Sequence, residues 1–266
     1  MKKRFRNSYG VAICRYNAKK NNTVEILMVK KRYTYHYFSF IFGFYKKYDN
    51  KYLEYLFDNM TFGEKVDILS LKFSTMWYRI WLCDPEKNYN MYKLDIESHN
   101  QNITSYYKKK DKFENIFMQD SGKRLYRLIN NSTNSVTPWE IPKGNINLNE
   151  TPLNCAIREL YEETNLCYDK YKILWNLDLV KSTIMDDNIS YRSNYFIASL
   201  NNNSNWTPKV NFGLNTQMSE IEQIQWISLE EINFLNLNVR YKAKLLTLYK
   251  SIIKKFKGEV KSYYYD

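Results

Sequence analysis

The chemistry-bearing residues of this chain lie in one short segment, where Glu159, Glu162 and Glu163 follow Arg158. On a helix of 3.6 residues per turn these three carboxylates fall within an arc of about 100°. Carboxylates so close repel one another and weaken the helix that carries them. A divalent cation removes that repulsion, and hard oxygen ligands select Mg²⁺ or Mn²⁺ bridging to a phosphate. A merely solvated acidic face is set aside because the spacing around the three glutamates is also special. Other chemistries lack their residues. The two histidines, His36 and His99, are too few for a zinc enzyme or a Ser/His/Asp site. Cys14, Cys83, Cys155 and Cys167 form no Cys-x-x-Cys pair and read as reduced structural thiols.

The helix that would hold the glutamates is legible. Thr151 suits the N-cap and Pro152 the first turn, where a missing N–H costs nothing. Leu153, Ala156, Ile157, Leu160 and Thr164 make an apolar stripe at helical spacing, the face that packs on a sheet. With Gly144, Glu150, Arg158, Leu160 and Leu166, the glutamates fit the pattern G-x5-E-x7-R-E-U-x-E-E-x-G-U, where U is a bulky aliphatic residue. That pattern is the Nudix box, and the segment resembles it at every named position but one. Asn165 stands where the family has Gly, and Asn is the next best residue for a left-handed helix end. The preceding Trp139-Glu-Ile-Pro-Lys-Gly144 also resembles the family's strand into the box.

The resemblance implies an α/β fold, the Nudix α/β/α sandwich, and hydrolysis of a diphosphate linked to a further group. It implies that Glu159, Glu162 and Glu163 hold metal, that Glu150 assists or braces it, and that Arg158 orients the glutamates. Lys143 and Gly144 would lie beside the metal and its substrate. A further acid often comes from a later loop, for which Glu220 and Asp186 are candidates. Together with the N-terminal hairpin and Met76-Trp-Tyr-Arg-Ile-Trp81, the box is similar to the decapping Nudix enzymes of large DNA viruses, nearest the African swine fever virus type. That implies capped mRNA as partner, 7-methyl-GDP as product, and basic residues on RNA at Arg6, Lys108, Lys109, Lys110, Lys112 and Lys181. Diphosphoinositol polyphosphates are the alternative substrate that the same likeness implies.

Other elements must position this segment. Val11–Arg15 and Val24–Arg32 read as a hairpin, Trp139–Pro142 as a short strand, and Tyr171–Thr183, Ile189–Leu200 and Ile221–Ser228 as later strands. Asp186-Asp-Asn188 supplies a turn. Between the first hairpin and the box the pattern turns helical: Leu53, Leu56, Phe57 and Met60 recur at helical spacing, and Thr61-Phe-Gly-Glu64 is a capping box. Ser74–Leu82 and Gly122–Asn130 are further helices, Lys108–Lys112 reads as an exposed edge, and Asn130–Thr137 as a linker. The expected organisation is a Nudix domain over 1–32 and 136–266, interrupted by a mainly helical insertion over 33–135. Trp77 and Trp81 read as insertion core rather than as a platform for the cap's base.

At the scale of the chain, 266 residues can bury a large core, and 44% hydrophobic residues are too many for disorder. A net charge of +12 favours polyanionic partners. The Tyr35–Tyr45 run is too short to span a bilayer, and Arg15 interrupts the first apolar run, so neither membrane insertion nor a signal peptide is expected and the location is cytoplasmic. A basic helix over Val239–Lys257, ended by Gly258, carries a stripe of Leu245, Leu248, Tyr249, Ile252, Ile253 and Phe256. It suits packing on a sheet, or a membrane surface if the chain is an RNA- or membrane-binding module without activity. The intact glutamate set favours an enzyme. The sequence leaves the oligomeric state open.

Overall fold

The computed structural model describes residues 4–82, 100–186, 189–201, 206–211 and 215–262; side chains at some margins of these stretches, those of Trp81 and Asp186 among them, are outside the description. The chain divides into two compact units. One comprises Met1–Lys30, Trp139–Asn211 and Ile221–Asp266; the other comprises Lys31–Pro138 and Phe212–Glu220.

The first unit is built on a mixed sheet. Strand β1 (Arg4–Asn17) pairs antiparallel with β2 (Thr23–Lys31), closing a hairpin at Asn17 opposite Thr23. On its other side β1 runs parallel to β7 (Ile189–Leu200), from Arg4 opposite Ile189 to Cys14 opposite Ser199. Strands β3 (Trp139–Glu140) and β8 (Ile221–Ser228) pair with β2, β4 (Lys143–Asn145) with β1, and β5 (Tyr171–Ile173) and β6 (Val180–Asp186) with β7.

Both faces of this sheet are buried, and alternation along the strands divides them. Ala12, Cys14, Val24, Ile26 and Met28 face one core; Val11, Ile13, Leu27 and Val29 face the other. The first core is closed by the C-terminal helix, whose Leu245, Leu248, Tyr249, Ile252 and Phe256 are buried in it. The Tyr249 hydroxyl accepts from the Ile26 amide at 2.9 Å and donates to the Ile227 carbonyl, tying the helix to β2 and β8. The stripe is therefore sheet-packing surface, not a membrane face. This helix also runs on to Ser262 through Gly258, where an added Cβ would meet nothing within 4 Å. Gly258 does not stop it, because a lone glycine costs about 1 kcal/mol and nothing there requires a turn. Among the described residues no helix is long and apolar enough to cross a membrane.

The expected strand Tyr171–Thr183 is instead two strands. A turn at Trp175–Asn176, with the Leu177 amide on the Leu174 carbonyl at 3.2 Å, separates β5 from β6. Of the expected Asp186-Asp-Asn188 turn, Asp186 is the last residue of β6, and the other two lie outside the described residues.

The second unit is helical: α1 (Tyr35–Ile41), α2 (Asn50–Asp58), α3 (Phe62–Ser70), α4 (Phe73–Leu82), α5 (Asn100–Phe117), α6 (Lys123–Asn130) and α8 (Asn215–Glu220). The box helix of the first unit is α7 (Pro152–Thr164) and the C-terminal helix α9 (Val239–Ser262). Thr61 and Glu64 form the reciprocal cap, and Glu64 also accepts from the Thr34 amide and hydroxyl, so one buried carboxylate joins the starts of α1 and α3. Burial pushes its pKa up, and these hydrogen bonds oppose the rise. Leu53, Leu56, Phe57, Met60 and Trp77 are buried in the core. Helix α5 was not foreseen. Lys108–Lys112 lies within it, and Tyr106, Phe113, Ile116 and Phe117 are its buried stripe.

Candidate active site

The site is assembled by the β4–α7 loop and α7. Thr151 caps α7 by accepting from the Asn154 amide at 3.2 Å, and Pro152 occupies the first turn. Ala156, Leu160 and Thr164 are buried against the sheet, which fixes the rotation of the helix. Asn165 ends it in the left-handed conformation, φ 56°, with its amide on the Tyr161 carbonyl at 2.7 Å.

The opposite face carries the carboxylates, and Arg158 gathers them. Its Nε donates to Glu150 Oε1 at 2.8 Å and its Nη1 to Glu159 Oε1 at 2.7 Å and Glu162 Oε2 at 3.0 Å. Nη2 reaches Glu150 Oε2 and the Asn145 carbonyl, both at 3.0 Å. The Asn147 amide donates to Glu150 at 2.9 Å. Arg158, with the Asn147 amide adding, pushes the Glu150 carboxyl down to about 2. Glu163 belongs to the same helix and is 4% exposed. Cys155 lies beneath, its Sγ donating to the Gly144 carbonyl at 3.6 Å, and burial with the nearby carboxylates pushes its thiol up to about 11.

Gly144 explains its own identity. A Cβ there would stand 2.0 Å from Glu159 Cδ, so the carboxylate rests directly on the glycine backbone. Among the described residues, no three His, Cys, Asp or Glu side chains form a ready-made metal cage. Glu150, Glu159 and Glu162 converge instead on the Arg158 guanidinium. The donor set nevertheless fits a hard divalent cation: every acidic group is a carboxylate, and the notch at Gly144 holds Glu159 against β4.

The remaining candidates are divided between the two units. Lys143 Nζ pairs with buried Glu140 at 2.6 Å. Glu220 belongs to the second unit and pairs there with Lys31 at 3.2 Å. The Asp186 side chain lies outside the described residues. Arg6 lies on β1 with its guanidinium 5.9 Å from the Tyr191 ring, and Lys181 is exposed on β6. On α5, Lys108 is exposed and Lys110 stands 3.9 Å from Glu114. Lys112 differs from its neighbours: its Nζ donates to the Gly43 carbonyl at 2.8 Å and the Tyr45 carbonyl at 2.6 Å. Burial, with Lys109 and Lys108 nearby, lowers its pKa.

The parts that sequence reasoning missed are backbone groups. The Asn145 carbonyl and the Asn147 amide hold Arg158 and Glu150 in place. The run of asparagines between Gly144 and Glu150 was the available signal, and Asn149 in that run has φ 64°.

Comparison with known proteins identifies the family. A family model described as NUDIX domain matches residues 114–249. The mRNA-decapping protein g5R of African swine fever virus (isolate Warthog/Namibia/Wart80/1980) is 35% identical over 236 residues, covering 87% of this chain and 88% of that protein. An RNA pyrophosphohydrolase of Bartonella tribocorum is 25% identical over 149 residues, 53% of this chain and 83% of that one. Among solved structures, a C. elegans Ap4A hydrolase binary complex is similar at a TM-score of 0.42 and 12% identity, covering 94% of this chain and 98% of that one.

Proposed function

The chain belongs to the Nudix hydrolase family, and on that premise we propose that it removes the 7-methylguanosine cap from mRNA, releasing 7-methyl-GDP. The observation that carries this reading is the 35% identity to a viral mRNA-decapping protein across 87% of the chain. Capped mRNA is the proposed partner and Mg²⁺ or Mn²⁺ the proposed metal; the family as a whole uses divalent cations.

Glu159, Glu162 and Glu163 would hold the metal, with Glu150 bracing the set. When bound, the cation supplies neutralisation of the phosphates and a lowered cost for water to attack phosphorus. The rest falls to the chain. Arg158 orients Glu150, Glu159 and Glu162 through hydrogen bonds of 2.7–3.0 Å, which holds three mutually repelling groups in one geometry. Its charge keeps Glu150 ionised. The Gly144 notch fixes the Glu159 carboxylate against β4, and Lys143, held by Glu140, precedes Gly144 on that strand. Water attacks in line at one phosphorus of the triphosphate bridge, and the remaining phosphate leaves on the RNA. In this reading Asp186 and Glu220 are candidates for the further acid, and Arg6, Lys108, Lys109, Lys110 and Lys181 contact the RNA backbone. Lys112 is left out of that set, because its ammonium is already committed to two carbonyls.

The test is incubation with cap-labelled RNA and Mg²⁺ or Mn²⁺, identifying the labelled product. Release of 7-methyl-GDP is expected. Turnover of a diphosphoinositol polyphosphate run beside it, with capped RNA untouched under both metals, would overturn the reading in favour of the inositol substrate.

A further inference from the structure

The segment between α1 and α2 exposes aromatic rings that the core does not use. Phe44 is 62% exposed and Tyr48 83%, although large aromatics are the residues a helical unit most gains by burying. Their exposure is built into the segment. Gly43, at φ 66°, turns the chain out of α1, where an added Cβ would crowd Lys109 Cδ at 3.2 Å. Tyr45 turns inward and is 6% exposed, stacked on Phe40 at 5.3 Å between centroids and packed on Phe117 at 5.5 Å. Lys112 Nζ holds the Gly43 and Tyr45 carbonyls. Arg124 donates to the Lys47 carbonyl and to Asn50 Oδ1 at 2.8 Å. A segment held at both ends and in its middle presents Phe44 and Tyr48 outward by construction.

Each exposed ring has its own cation. Lys109 Nζ stands 5.4 Å from the Phe44 centroid and Lys47 Nζ 5.5 Å from that of Tyr48. Lys46 and Lys47 are exposed beside them. An exposed ring with an ammonium over one face leaves its other face for a base and the ammonium for a phosphate, the two parts of one unpaired nucleotide. A paired duplex hides its base faces and offers only the phosphates. We propose that Phe44 and Tyr48 form a stacking platform for unpaired bases of single-stranded RNA, with Lys47 and Lys109 holding the adjoining phosphates. The inference rests on the reading of this chain as acting on RNA and deepens it, naming unpaired RNA rather than duplex as what the second unit takes. Stacking has no sequence code, so a platform of this kind accepts any mRNA body.

The experiment uses the full chain and an uncapped 15-nucleotide RNA, single-stranded or annealed to its complement, with binding read by fluorescence anisotropy. Phe44→Ala and Tyr48→Ala should each weaken single-strand binding roughly tenfold. Duplex binding and the salt dependence of single-strand binding should stay as in the parent, because stacking releases no counterions. Phe44→Trp should retain affinity, and its fluorescence should be quenched when the oligonucleotide binds. Hydrolysis of a capped dinucleotide should be unchanged in the Ala variants. That assay separates the two proposals: a parent chain inactive on it counts against decapping, while the binding arm still decides the platform. Equal loss for single strand and duplex, or affinity within twofold of the parent in the double variant, would overturn the platform. Loss of binding to phosphatidylserine-containing vesicles with single-strand binding intact would assign the rings to a membrane surface and overturn it as well.

Discussion

Glu159 and Gly144 illustrate how one atom can separate activity from stability. An alanine Cβ at Gly144 would overlap the end of the Glu159 side chain, 2.0 Å from its Cδ. A flexible carboxylate can swing away, so Gly144→Ala should cost under about 1 kcal/mol of stability. Turnover should nevertheless fall on the order of 100-fold, the scale of displacing a reacting group by an ångström. Gly10 is the control, since its added Cβ would meet the Pro142 carbonyl oxygen at 2.1 Å. Backbone cannot swing away, so Gly10→Ala should lower stability by about 1–3 kcal/mol. Thermal melts beside capped-RNA turnover check both, and full activity in Gly144→Ala would show that Glu159 need not rest there. Glu163 gives the complementary case. Gln keeps the shape of this buried side chain but not the charge a hard cation needs. Glu163→Gln should therefore retain the fold, seen by circular dichroism, and lose on the order of 100-fold or more in turnover. Near-normal activity at saturating Mn²⁺ would remove Glu163 from the site.

The elements differ in how plainly the sequence announced them. Helix α7 was legible because its cap, its stripe and its glutamates are all local, spaced by a period that the chain states directly. Helix α5 was hidden because its stripe, Tyr106, Phe113, Ile116 and Phe117, is thin and interleaved with lysines and asparagines. Lys112 was grouped with its neighbours because its partners, the Gly43 and Tyr45 carbonyls, are remote in the chain, and spacing carries no information about them. The break between β5 and β6 contains no glycine or proline, so the usual punctuation was missing. The β1–β2 hairpin was announced, but its lock was not. Glu25, 1% exposed, accepts from Arg15 at 2.7 Å, Asn17 at 2.9 Å and Lys20 at 3.1 Å. Burial alone would raise its pKa; these three partners more than offset that and hold it below 4.5. A lowered folded-state pKa means stability that is present above the ordinary 4.5 and lost as pH falls through the folded value. Glu25→Gln should cost about 1–3 kcal/mol near neutrality, and its deficit against the parent should shrink as pH drops below that range. Denaturant melts across a pH series check this, and a deficit independent of pH would mean that the charge of Glu25 contributes nothing.

At the scale of the molecule the governing quantity is the net charge of +12, and its meaning depends on where cations are free to meet phosphate. Lys65 and Lys112 are committed to carbonyls of the second unit and add field but not contacts. Lys108 is exposed, Lys109 stands beside Phe44, and Lys110 lies 3.9 Å from Glu114, a separation that leaves it weakly held. A long RNA tracked by such lysines releases counterions, so the logarithm of its affinity falls linearly with the logarithm of salt, with a slope of about 0.7 per phosphate contact on a single strand. Replacing Lys108, Lys109 and Lys110 with Ala should therefore weaken RNA binding and flatten that slope by about 2 if all three make contacts. The Phe44 and Tyr48 variants should shift the same line without tilting it, which distinguishes lost stacking from lost phosphate contacts. Turnover of a compact diphosphoinositol, where there is any, should barely change in the triple variant, since the lysines belong to a different compact unit from the glutamate helix. Uncapped RNA carries the same phosphates and should compete with capped RNA for that surface. Unchanged affinity and slope in the triple variant would mean that α5 does not hold RNA and that the charge is ordinary surface lysine.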